Sequence, residues 1–221
     1  MTEKRRLTFY KIIVYLIIFF AIWTIQELIV RPQFLNTLDS PTTEFLGQAI
    51  KLLVWTLPAV LLIRHYHDDM QFGLKEMFTT KPNWREAAPY FAVLIVPFLQ
   101  AFIYGGGISI NPDFVPSRLI EPVIFAGITE ELVFRGFLLN TFLKRMKVPQ
   151  AIALDAVLFA LIHYPILIYR GFGVADFIWP SISFVALSTV FALSFIKSKN
   201  IFIPMAIHMI WNLLVITLYM G

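Results

Sequence analysis

Apolar residues along this chain come in long runs broken by short polar stretches, not in the alternation of a half-buried strand. A membrane-spanning helix needs roughly 20 mainly apolar residues. Segments that qualify cover residues 9–30, 45–63, 87–106, 119–143, 149–169, 176–196 and 201–220. Turn signals such as Arg31-Pro32, Asn111-Pro112 and Gly171-Phe172-Gly173 lie between them. No internal repeat, low-complexity tract or soluble domain is visible. The pattern predicts an all-α fold: a polytopic membrane helix bundle of about seven transmembrane helices, forming a single integral membrane domain over residues 1–221.

Composition sharpens this. The chain is 58% hydrophobic and 14% charged, with a mean hydropathy of +0.74, against about 45–50% apolar and about 25% charged in soluble domains. So little charge beside so much Phe, Ile and Leu excludes disorder and argues against a soluble globule. With no cysteine, the chain has no disulfide framework, thiol nucleophile or Cys-based metal site.

The net charge of +4 reflects membrane orientation and not nucleic-acid binding. One side of the membrane receives Lys4, Arg5, Arg6, Lys11, Arg64, Lys75, Lys81, Arg85, Lys144, Arg145, Lys147, Lys197 and Lys199. The other receives only Arg31, Arg118 and Arg170. The positive-inside rule places the N-terminus in the cytoplasm and, with seven spans, the C-terminus outside. The first apolar run follows Lys4-Arg5-Arg6 as a signal peptide would, but it is too long for one and lacks a cleavage signature, so it reads as a retained first helix.

Ionisable groups at membrane depth cost several kcal/mol and are usually paired or functional. They gather in the second half of the chain: Glu130, Glu131 and Arg135 in the fourth segment, Asp155 and His163 in the fifth, His208 and Asn212 in the last. Lys51 and Glu27 stand apart, as snorkelling or structurally paired groups. Residues four apart share a helical face, so Glu131 and Arg135 suit an intrahelical ion pair, and His208 and Asn212 project together. Glu130 projects about 100° away from Glu131. A lone intramembrane His or Asn is often only an interhelical hydrogen bond, but two adjacent carboxylates and two histidines exceed what packing requires.

A carboxylate and a histidine facing one cavity can hold and deprotonate a water. A second His and an Asn amide can donate to the oxyanion formed when water adds to a peptide carbonyl. Glu130, His163, His208 and Asn212 supply those parts without a cofactor. Alternatively, Glu130, His163 and His208 could ligate a catalytic zinc with an open position, although no H-E-x-x-H helix is present. At 1.5 Å per residue, His208 sits roughly 10 Å from the basic end of its helix and Glu130 and His163 roughly 20 Å from theirs. One shared site therefore requires tilt, or kinks near Pro165 or Pro204.

The string Glu130-Glu131-Leu132-Val133-Phe134-Arg135-Gly136 resembles the EExxFRG motif of the CAAX prenyl endopeptidase and bacteriocin-processing (CPBP, or Abi) family. Phe159-Ala160-Leu161-Ile162-His163 resembles its FxxxH motif, and His208-Met209-Ile210-Trp211-Asn212 its HxxxN motif. The three stand in family order within a motif-bearing core, residues 119–215. Asp155 is a departure, where family members often carry a small residue. The resemblance implies an intramembrane endopeptidase in which Glu130 and His163 activate water and His208 with Asn212 forms the oxyanion site. Glu131, Arg135 and Phe159 would support the site or contact substrate.

The expected partners are the lipid bilayer and a peptide or membrane-anchored protein substrate, reached through an opening toward the cytoplasm. Nucleic acid is not expected, and the sequence leaves oligomeric state open. Small size and the lack of a retention signal suit a bacterial plasma membrane. Two rivals use the same residues otherwise: a non-catalytic bacteriocin-immunity or scaffold protein of the same fold, and a proton-coupled transporter, which the lack of repeats disfavours.

Overall fold

The computed structural model describes residues 7–37 and 40–219; Lys4, Arg5 and Arg6 lie outside them. Long helices run at each predicted span: α1 (Phe9–Thr37), α2 (Phe45–His65), α3 (Trp84–Tyr104), α4 (residues 120–143), α5 (Val148–Tyr169), α6 (Val174–Ser198) and α7 (Phe202–Thr217). Among the described residues there is no strand, only an isolated bridge between Ile110 and Leu218.

Five of these helices, α1, α2, α3, α5 and α6, are long and apolar enough to cross a membrane. The chain is a multi-pass membrane protein. The other two predicted spans are helical but fall short of that standard, for different reasons. The α4 run carries Glu121, Glu130, Glu131 and Arg135, and α7 has only 16 residues. These two helices bear the first and last motifs. Nearly every residue from Ala126 to Phe142 is buried, so α4 is sheathed by its neighbours, whereas α1 and α3 present Ile17, Ile18, Phe102 and Ile103 outward. An apolar exterior around a polar centre is the arrangement a bilayer requires, since charge facing hydrocarbon is expensive.

Contacts sort the loops into two ends. At the basic end, Arg145 donates to the carbonyls of Leu7 (2.6 Å) and Asp69 (3.0 Å), and Asp69 accepts from the Leu7 amide (2.8 Å). A segment containing the short helix Leu74–Thr79 folds in here. Asn140 brackets Phe72, accepting from its N–H (2.7 Å) and donating to its carbonyl (2.8 Å). Asn200 donates to the Thr80 carbonyl at 2.6 Å, and the Ile201 amide to that of Met77 at 2.9 Å. At the opposite end Asn36 meets Tyr169 (2.6 Å), and residues 109–111 pair with Thr217 and Tyr219.

The inserted segment also resolves the depth mismatch. Met77 touches both Asn140, through its sulfur at 3.5 Å, and the start of α7, so those two points lie near one level. Glu130 is ten residues from Asn140 and His208 is seven from Ile201, or about 15 against about 10 Å along straight helices. Widened π-helical turns over Leu132–Leu139 shorten the advance of α4 further. Similar turns occur at Gln26–Val30, Leu52–Thr56 and Ile120–Phe125, each beside a residue that faces the cavity described below.

Candidate active site

Helix α4 supplies two adjacent carboxylates that grip opposite sides of one imidazole. Glu131 Oε1 lies 2.8 Å from His208 Nδ1, and Glu130 Oε2 lies 3.9 Å from His208 Nε2. The close approach of α4 to α7 depends on Gly127, where an added Cβ would fall 2.5 Å from Met209 Cγ. The expected intrahelical pair forms, with Arg135 Nη1 donating to Glu131 Oε1 at 3.2 Å. Arg135 also donates to the carbonyl (3.0 Å) and hydroxyl (2.7 Å) of Ser188 on α6, and its Nε lies 3.7 Å from Asp155 on α5. One buried guanidinium thus ties four helices together, with α7 reached through Glu131. Its faces rest on Phe159 and Phe191, 4.7 and 5.2 Å from the ring centres, a favourable cation–π arrangement.

His163 enters from α5, where Pro165 lacks the N–H that would continue the helical ladder and the helix is interrupted. Its Nδ1 is 2.8 Å from the Phe159 carbonyl. A carbonyl only accepts, so Nδ1 carries the proton, leaving Nε2 of the neutral ring as an acceptor. That Nε2 is 3.9 Å from the same Glu130 Oε2. The ring stacks on Phe184 at 4.0 Å, and His208 stacks on Phe191 at 4.8 Å. Both imidazoles are therefore fixed by an Nδ1 partner and an aromatic face, with Nε2 turned to Glu130. The buried Glu130 Oε2 has no hydrogen-bond partner.

Two features come from residues read as isolated in the sequence. Lys51 Nζ lies 3.5 Å from Glu130 Oε1 and 5.3 Å above both Trp23 and Trp55, so the cation is held between rings and paired with the carboxylate. Glu27 binds Arg31 at 3.0 Å, and Arg31 approaches Glu121 at 3.9 Å. An intramembrane Lys on a span without a motif was the available signal for the first. Nothing in helical spacing links Lys51 to Glu130, because the two lie on different helices.

Glu130, His163, His208 and Asn212 all line a cavity of about 590 Å³, which continues past Lys51 to the Glu27, Arg31 and Glu121 cluster. Asn212 donates to the Pro122 carbonyl at 2.6 Å, and its amide has a second N–H. Glu131, Arg135 and Phe159 are buried and do not line the cavity. The cavity runs from the site toward one end of the bundle. Its lining residues lie at the level of the site or toward the end carrying Arg31 and Arg170, and none belongs to the basic end, which the 69–80 segment covers.

Among the described residues, no group of three His, Cys, Asp or Glu is arranged to hold a metal ion. The donor chemistry also fits zinc poorly, because a cation on Glu130 would face the Lys51 ammonium already 3.5 Å away.

The chain is thus a polytopic helical membrane protein with buried carboxylates and imidazoles at a cavity wall. Comparison with known families is more particular. Residues 112–214 match the family model described as type II CAAX prenyl endopeptidase Rce1-like. Through this region, somewhat less than half of the chain, the protein is similar to that family, which is generally a protease family. No curated protein and no solved structure matches the chain. The match includes all three motifs and begins after α1–α3, so Lys51 lies outside it.

Proposed function

We infer that this protein is an intramembrane endopeptidase that hydrolyses a peptide bond of a membrane-associated peptide or protein with activated water and no metal. The observation that carries the reading is the convergence of two imidazole Nε2 atoms, each at 3.9 Å, on one unpartnered oxygen of Glu130 at the cavity wall. Hydrogen-bonded contact across such a gap is made through an intervening water. Glu130 and His163 Nε2 are its two candidate proton acceptors.

Water adds to the scissile carbonyl, one proton passes to the Glu130–His163 pair, and charge develops on the carbonyl oxygen. His208 in its doubly protonated form donates from Nε2 to that oxygen, its Nδ1–H held by Glu131. Asn212 supplies the second donor from the N–H that Pro122 does not take. Return of the proton to the leaving amine breaks the C–N bond and restores the site. Arg135 balances Glu131, and Phe159 orients both Arg135 and His163, so these three act as positioning residues. Lys51 holds Glu130 at its other oxygen.

The test is a terminal-peptide comparison of host membranes carrying wild-type protein or Glu130→Gln at matched abundance. Termini that vanish in the variant, with a rate loss of about 10³-fold or more, are expected. An unchanged set of termini, with any protective phenotype intact, would replace the peptidase reading with an immunity or scaffold role.

A further inference from the structure

At the basic end, away from the candidate active site, a second recess of about 460 Å³ lies between the start of α3 and the end of α6. Lys81 stands on one side of it and Lys197 and Lys199 on the other, and Glu86 is the only acid among its lining residues. That carboxylate is already engaged: Lys197 lies 4.0 Å from one oxygen, and the Asn83 amide donates to the other at 3.1 Å. Lys81 and Lys199 meet no carboxylate among the described residues. The frame that carries the lysines is fixed by hydrogen bonds. Buried Ser198 accepts from the Asn200 amide at 3.2 Å, and the Asn200 side chain donates to the Thr80 carbonyl at 2.6 Å. Lys199 ends α6 at φ 53°, the left-handed conformation that glycine usually takes at a helix end.

The depth of this recess follows from its walls. Helix α3 begins at Trp84 and α6 ends at Ser198, and both are long and apolar enough to cross a membrane. A hollow where two such spans terminate lies at the level of lipid headgroups, on whichever face of the membrane it falls. Trp84, next to Asn83, is 59% exposed, as aromatic anchors at that level are. A general excess of Lys and Arg in the loops accounts for lysines at this end, but not for three of them around one hollow with a single counter-charge. We propose that the recess binds the phosphate headgroup of an anionic phospholipid, whose acyl chains lie along the apolar outer faces of α3 and α6. Its volume is within the range of ligand sites, and basic pockets between membrane helices take such headgroups. A zwitterionic lipid brings its own cation and gains less from the same lysines. Bound there, the lipid joins the segment before α3 to the end of α6 and stabilises the fold by mass action. Such a site requires neither peptidase activity nor a particular face of the membrane.

The test uses the full-length protein in micelles of a neutral detergent, titrated with phosphatidylglycerol, phosphatidylcholine or inorganic phosphate. Bound lipid is counted by native mass spectrometry, and thermal unfolding is followed in the same samples. One phosphatidylglycerol should bind at least about tenfold more tightly than phosphatidylcholine and raise the unfolding temperature, each lysine beside an anionic lipid being worth about fivefold in affinity. The double variant Lys81→Gln/Lys199→Gln should lose that preference. Lys75→Gln/Lys144→Gln removes the same charge from exposed positions outside the recess and should keep it. Equal loss in both double variants would mean diffuse attraction to a basic surface and no site. Equal binding of the two lipids would also overturn the proposal, and so would inorganic phosphate that reproduces the thermal shift, which would make the ligand a free anion. Glu86→Gln guards against a variant that fails to fold: with the only lining acid removed, phosphatidylglycerol should bind about fivefold more tightly. Unchanged or weaker binding in Glu86→Gln would count against a headgroup in this recess.

Discussion

Helix α4 and helix α3 are both central to the apolar pattern of the chain, yet they solve opposite problems. α3 exposes Ile95, Leu99, Phe102 and Ile103, and lipid is as apolar as those side chains, so their packing adds little drive to association. α4 hides Glu130, Glu131, Arg135 and Asn140 and matches each to a partner on another element: Lys51, His208, Ser188 and Phe72. In a membrane the polar contacts specify which helices meet, and here the same contacts assemble the candidate site. Of the three motif helices, α5 meets the apolar standard for a span, α4 misses it through its charges, which neighbouring helices enclose, and α7 misses it on length.

The largest test of this contrast is Arg135→Ala. It leaves Glu131 and Asp155 buried without their shared cation, and breaking a buried ion network by removing one partner costs roughly 3–5 kcal/mol. Membrane abundance should fall severalfold and activity with it, read by immunoblot and by substrate turnover in the same membranes. Normal abundance with full activity would mean that the hub ties nothing together.

Asn212→Ala should be milder in abundance and more specific in effect. One oxyanion donor is worth on the order of 10²–10³ in kcat, with KM little changed. Since Asn212 also bonds the Pro122 carbonyl, a modest loss of thermal stability is expected beside it. A change confined to KM would reassign Asn212 to substrate binding.

Which parts were legible follows from the range of each signal. Helical spacing acts within one helix, so the Glu131–Arg135 pair and the shared face of His208 and Asn212 could be read from residue numbers. The three motifs then placed α4, α5 and α7 around one site. Contacts between helices carry no such ruler. Lys51 looked isolated because its partner is 79 residues away in sequence, and Asn140 was passed over although it anchors the segment that closes the basic end. The course of the cavity was illegible for the same reason: charge sorts loops to an end, but only the fold reveals which end the 69–80 segment covers. The span count illustrates a further limit, since α7 is helical at the predicted place but only 16 residues long.

Lys51→Met asks whether the non-motif half contributes to the chemistry. Met keeps most of the apolar stem between Trp23 and Trp55 and removes the charge 3.5 Å from Glu130. A loss of about tenfold in kcat/KM is expected, equivalent to about 1.4 kcal/mol of transition-state stabilisation, with abundance near wild type. Lys51→Arg should recover part of it, because a guanidinium can still pair with the carboxylate. Equal activity in all three proteins would confine the working site to the region that matches the family.

The smallest effect is expected on the outer face. Ile103 is 66% exposed on α3, and exposed substitutions away from special features usually change stability by no more than about 0.5 kcal/mol. Ile103→Ala should therefore leave abundance and turnover unchanged in membranes. This outcome is informative because α3 and α4 come from one chain with similar apolar runs; if lipid supplies one surface and protein the other, trimming a side chain should matter only where protein surrounds it. A drop in turnover for Ile103→Ala comparable to that of Asn212→Ala would show that the outer face of α3 meets a protein partner and not lipid, and the contrast between the two helices would then mark two interfaces instead of an inside and an outside.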